Sequence, residues 1–170
     1  HDGVLYTVDG SVVRRFDLET GQPLAVTAVA GSTFLNGIAV AGDGTIFVSN
    51  TRPESRLYRI APDGEVDLFL EGAPLAAPNG VAIDPDGHPV VVNIDDDAVL
   101  TFDRSGRLLR TERAAQKGSD GLVILADGTK YVSSVRHGAI SRIRPGEEAE
   151  TIARGIPSAA SMCLDSTQRQ

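Results

Sequence analysis

Cysteine is nearly absent. Cys163 stands alone, so no disulfide can form within the chain and the redox compartment stays open. It lies in an apolar-alternating run with nothing nearby to lower its pKa, which predicts buried filler rather than a nucleophile. No run of eighteen apolar residues occurs, so no membrane span is expected. The start, His1-Asp2-Gly3, lacks the basic and apolar regions of a secretory leader. A soluble protein is expected, periplasmic or secreted if a leader has been removed and cytoplasmic otherwise. Basic excess is missing too. The formal charge is −7 and the pI about 4.9, which argues against a nucleic-acid partner, because phosphate backbones need a basic surface. A small molecule or a divalent cation suits this balance better. No Gly-x-Ser-x-Gly elbow, phosphate-cradling loop or dinucleotide fingerprint is present, which leaves serine-hydrolase and nucleotide chemistry unsupported. No stretch has a helical period with caps.

What is present is a repeat. LNGIAVAGDGTIFVSN from Leu35, PNGVAIDPDGHPVVVN from Pro78 and SDGLVILADGTKYVSS from Ser119 align without a gap. Asn36 and Asn79 are 43 residues apart (79 − 36), Asn79 and Asp120 41 (120 − 79), and a fainter copy puts Ala160 a further 40 on (160 − 120). Each unit has an apolar run, an Asp-Gly turn (Asp43-Gly44, Asp86-Gly87, Asp127-Gly128), a β-rich run and a period-two strand such as Arg56–Ile60. A second turn and a more polar fourth strand complete it. Four short strands repeated every 40 to 43 residues predict an all-β fold, a β-propeller of four-stranded blades.

The ends are incomplete. Residues 1–33 read as a partial blade of three strands, blades follow at 34–76, 77–117 and 118–156, and residues 157–170 hold the inner strand of a next blade. About four blades' worth of chain is therefore present. Either the two ends pair into one composite blade and close a four-bladed ring, or the chain is part of a larger propeller of six blades, the favoured reading. In the second case the open edges call for a partner chain or a further segment to complete the propeller.

Inner strands of a propeller line its channel, so Asn36, Asn79 and Asp120, at equivalent places, are expected to converge on one mouth. Oxygen donors gathered from different blades suit a hard cation such as Ca²⁺ or Mg²⁺. Zn²⁺ more often takes His or Cys, and neither stands at these positions. The competing reading is local: Asn or Asp before Gly often only makes a turn, its side chain bonding its own backbone. Asp95-Asp96-Asp97 looks like a calcium clamp but lacks the glycine and distal glutamate of an EF-hand, so a solvated turn is expected. Arg136-His137 reads as an exposed loop pair, and His88, before Pro89 in a hairpin, as exposed.

The ordered motifs LNGIAVAGDGTIFVSN, PNGVAIDPDG and SDGLVILADGT resemble the gluconolactonase, regucalcin (senescence marker protein) and luciferin-regenerating enzyme family across nearly the whole chain. The resemblance implies a six-bladed propeller with one divalent metal ion at a channel mouth, Ca²⁺ preferred and Mg²⁺ or Zn²⁺ as alternatives. It implies metal ligation by Asn79 and Asp120, base duty for Asp120 and substrate contact by Asn36. The family's metal-binding Glu has no match, because its inner strand would precede His1. The activity implied is metal-dependent hydrolysis of a sugar lactone or similar cyclic ester. In the alternative the chain is a non-catalytic propeller that binds a ligand or a protein through one face.

Overall fold

Alternating and continuous apolar runs, punctuated by Asp-Gly turns, produce fifteen strands and no helix in the computed structural model, which describes residues 1–165. The first sheet holds β1 (Val4–Asp9), β2 (Val12–Asp17) and β3 (Pro23–Ala28). The second holds β4 (Leu35–Val40), β5 (Ile46–Asn50), β6 (Arg56–Ile60) and β7 (Val66–Glu71). The third runs through β8 (Pro78–Ile83), β9 (Pro89–Asn93), β10 (Ala98–Phe102) and β11 (Leu108–Arg113). The fourth comprises β12 (Ser119–Ile124), β13 (Lys130–Ser134), β14 (Ala139–Ile143) and β15 (Glu150–Ala153). Strands pair antiparallel in chain order within each sheet, and the inner strands β4, β8 and β12 lie side by side. This is an arc of a β-propeller. The turn glycines Gly44, Gly87 and Gly128 have φ of +85°, +83° and +84°, a region closed to most side chains, which is why each hairpin carries Asp-Gly.

The core lies between sheets. Val13 and Val29 from the first sheet and its exit meet Ile46, Val48 and Tyr58 of the second. Phe47 and Leu57 meet Val91, Leu100 and Phe102 of the third. Val90, Val92 and Val99 in turn meet Leu122, Val132 and Ile143 of the fourth. Ile46 and Val48 thus face one neighbour and Phe47 the other, so β5 and β9 are buried at every position: each opens on an apolar run and ends on buried polar residues, Ser49-Asn50 and Asn93. Each fully buried Val or Leu contributes about 1.5–3 kcal/mol.

The C-terminal segment departs from expectation. Among the described residues 157–165 no strand forms, while residues 166–170 of the expected inner strand lie outside the description. Its backbone still packs beside β12: Ser133 Oγ donates to Ala160 O, and Gly121 abuts the same carbonyl. No second strand follows in the described chain to form a ladder with it. Cys163 is consequently exposed rather than buried, since no sheet covers the run that carries it. The first sheet remains three-stranded, so the four-bladed ring closed by a composite blade does not form among the described residues.

Candidate functional site at the mouth of the arc

Asn36, Asn79 and Asp120 are the second residues of β4, β8 and β12. None lies in a turn. In each inner strand the ladder slips at this point: Leu35 pairs with Asn50 but Ile38 with Val48, Pro78 with Asn93 but Val81 with Val91, and Ser119 with Ser134 but Leu122 with Val132. Each slip is a β-bulge with one extra residue on the inner strand, and bulges re-aim side chains. The glycine that follows has a different job from a turn glycine. A Cβ on Gly37 would lie 2.1 Å from Asn79 O, one on Gly80 2.4 Å from Asp120 O, and one on Gly121 2.6 Å from Ala160 O. The Asn-Gly and Asp-Gly pairs thus mark where one inner strand presses against the backbone of the next.

The three side chains line one cleft of about 220 Å³, formed by the triplets beginning at Asn36, Asn79 and Asp120 together with Ser161 and Met162. Asn79 is 3% exposed, and its Nδ2 donates to Asp120 Oδ2 at 3.3 Å. Burial pushes the Asp120 carboxyl above its ordinary value, and the Asn79 hydrogen bond offsets part of that rise. No Lys or Arg is among the described lining residues. A half-desolvated carboxylate beside two amides and no cationic side chain is a donor set that fits a hard cation. At the next equivalent position stands Ala160, which offers no side-chain oxygen.

The other singled-out residues fall into structural roles. Asp95 Oδ1 accepts from Arg52 Nη2 and Arg136 Nη2, each at 2.9 Å. Asp96 Oδ1 accepts from the Ala98 amide at 2.8 Å, and Asp97 Oδ1 from Arg113 Nη1 at 2.5 Å. The acidic run is therefore committed to arginines and a backbone amide, and Arg136-His137 is exposed. Arg52, Asp95 and Arg136 are equivalent residues of three successive blades, a staple the sequence reading missed although the 43- and 41-residue spacings held it (95 − 52, 136 − 95). His88 is half-buried rather than exposed, with Nδ1 3.5 Å from Asp84 Oδ2. Asp84, Asp86 and His88 form a trio whose potential ligand atoms lie within 4.8 Å of one another, at the far end of β8 from Asn79. The same turn recurs at Asp103, whose Oδ1 accepts from the Ser105 and Arg107 amides and whose Oδ2 accepts from Arg107 Nε. Asp84 Oδ1 likewise accepts from the Asp86 and His88 amides, so the trio is built on the same turn, but buried His88 Nδ1 makes no hydrogen bond to Asp84 Oδ2.

Successive four-stranded sheets with a polar cleft where their inner strands meet define a β-propeller with a mouth site. The chain belongs to the SMP-30/Gluconolactonase/LRE-like family, which it matches over residues 2–170. No curated protein sequence matches it. Similar solved structures include virginiamycin B lyase from Staphylococcus aureus (TM-score 0.75, 17% identity, 94% of this chain and 56% of that one). A gluconolactonase from Xanthomonas campestris is similar as well (TM-score 0.72, 21% identity, 97% and 62%). So is a chain of a nidogen/laminin complex (TM-score 0.73, 17% identity, 89% and 61%). The chain spans 56% to 62% of the length of these structures. At such identities the likeness shows the fold.

Proposed function

We propose that this chain carries most of the active cleft of a lactonase-type hydrolase that opens a sugar lactone or similar cyclic ester. The observation that carries the reading is the meeting of Asn36, Asn79 and Asp120 in one cleft, with Asn79 bonded to Asp120. Family membership supports the same activity. Asn79 Oδ1 and the Asp120 carboxylate would hold a divalent cation, Ca²⁺ before Mg²⁺ or Zn²⁺. Such an ion supplies polarisation of the ring carbonyl and acidification of water. Asp120 accepts the proton of the water whose oxygen bonds to the carbonyl carbon. It returns that proton to the ring oxygen as the carbon–oxygen bond breaks, leaving a hydroxy acid. Asn36 orients substrate oxygens through neutral hydrogen bonds.

Ala160 at the fourth equivalent position favours a second reading, a propeller that binds a ligand or protein without turning it over. Calorimetric titration with Ca²⁺ and Mg²⁺, followed by a lactone panel in a pH-stat, separates the two. The hydrolase reading expects one bound cation, abolished by Asp120→Ala together with all turnover. Cation binding that survives Asp120→Ala, or a protein inert toward every lactone, favours the binding module.

A further inference from the structure

The Asn36 side chain acts only if it keeps its spacing from Asn79 across a blade boundary. Two buried hydroxyls reach across that boundary: Thr51 Oγ1 donates to Pro78 O at 2.8 Å, and Ser49, unlike Thr51, bonds both inner strands. Ser49, on β5, is fully buried; its Oγ accepts the Gly37 amide at 2.8 Å and donates to Asn79 O at 2.6 Å. Gly37 follows Asn36 in the bulge of β4, so the hydroxyl fastens the backbone of one cleft residue to that of the next. Ser133 repeats this at the far end, accepting the Gly121 amide at 2.7 Å and donating to Ala160 O. Between them the equivalent residue is Val92 (92 − 49 = 43, 133 − 92 = 41). Its Cγ2 would stand 3.2 Å from a Cβ on Gly80, and it has no hydroxyl to give. The step from Asn79 to Asp120 is spanned instead by the functional side chains themselves, through the 3.3 Å hydrogen bond.

We propose that Ser49 is a positioning residue that fixes Asn36 relative to Asn79, and so sets substrate affinity rather than the chemical step. This rests on the hydrolase reading for its kinetic meaning, but the geometry it asserts is independent of activity. A hydroxyl that accepts from one strand and donates to the next fixes both strands at one spacing, whereas a methyl at the same place only excludes water. Ser49 bonds the Gly37 and Asn79 backbones and makes no hydrogen bond to Asp120, so the base is touched less than the Asn36–Asn79 spacing.

Ser49→Thr and Ser49→Val provide the test. They have the same shape and differ only in the hydroxyl, and the fold already carries valine at the equivalent place in the third blade. For Ser49→Val, KM should rise about tenfold with kcat changed less than about threefold; Ser49→Thr should stay near wild type in both. In proton–nitrogen spectra the side-chain amide signals of Asn36 and Asn79 should shift in Ser49→Val and hold in Ser49→Thr. Equal KM in the two variants, or a Ser49→Val protein that merely melts lower with KM unchanged, overturns the positioning role. If the wild type turns over no lactone, the hydrolase reading falls by itself. The amide signals then decide the inference alone: different shifts in Ser49→Val and Ser49→Thr sustain it, and identical shifts overturn it.

Discussion

Asp120 is where fold stability and the proposed chemistry pull in opposite directions. Its carboxyl is held above the ordinary value by burial, so the folded chain binds a proton more tightly than the unfolded chain does. In the metal-free protein this makes stability fall as pH rises from about 4, the unfolded value, through the raised folded one. Asp120→Asn keeps the shape and the acceptor for Asn79 but removes the charge. Metal-free Asp120→Asn should therefore melt above wild type at pH 7, with the difference closing as pH approaches about 4. Thermal melts across that range check it, and a variant less stable than wild type at pH 7 contradicts it. The three cleft residues could be named from sequence because their repeat spacing shows that they are equivalent. That Asn79 bonds Asp120, and that Ser49 ties two strands together, could not be named. Those contacts join residues 41 and 30 positions apart through bulges that no local pattern announces.

At the scale of the element, strands follow from alternation, from continuous apolar runs such as Val90-Val91-Val92, and from the turn residues between them. The period-two run Arg56–Ile60 is β6 to the residue. Reading Asn-Gly as a turn fails for a physical reason: in β4 and β8 the glycine is needed by the neighbouring blade. Gly37→Ala would drive a methyl onto Asn79 O, a backbone atom that cannot swing aside, whereas Gly42, with nothing within 4 Å of an added Cβ, has room. Gly37→Ala should cost about 1–3 kcal/mol or more and displace the cleft, and Gly42→Ala should stay within about 0.5 kcal/mol of wild type. Urea denaturation of both reads the contrast. Equal stabilities would mean that β4 and β8 do not approach this closely. The inner strand expected near 160 to 165 fails because alternation alone does not make a strand: a ladder needs a partner, and the described chain supplies none.

Across the whole molecule, two kinds of contact join the blades, and magnitudes decide between them. The Arg52–Asp95–Arg136 staple is half-exposed at all three side chains, so solvent screening leaves it worth little. The valine, leucine and phenylalanine layers are dry. Asp95→Ala should cost less than about 1 kcal/mol. Leu100→Ala, which empties a site 1% exposed between the second and third sheets, should cost about 2–5 kcal/mol. Chemical denaturation of the two variants measures the difference, and a larger loss for Asp95→Ala would reverse this ranking.

Composition and repeat spacing by themselves determined the all-β class, the four-strand unit and the identity of three cleft residues, because each is a property of order along the chain. Tertiary structure alone decided which backbone each glycine faces, which carboxyl loses its water and which hydroxyls cross blade boundaries. It also decided that Cys163 stands in solvent. These depend on what a neighbouring sheet brings within a few ångströms, and that neighbour lies some forty residues away in sequence.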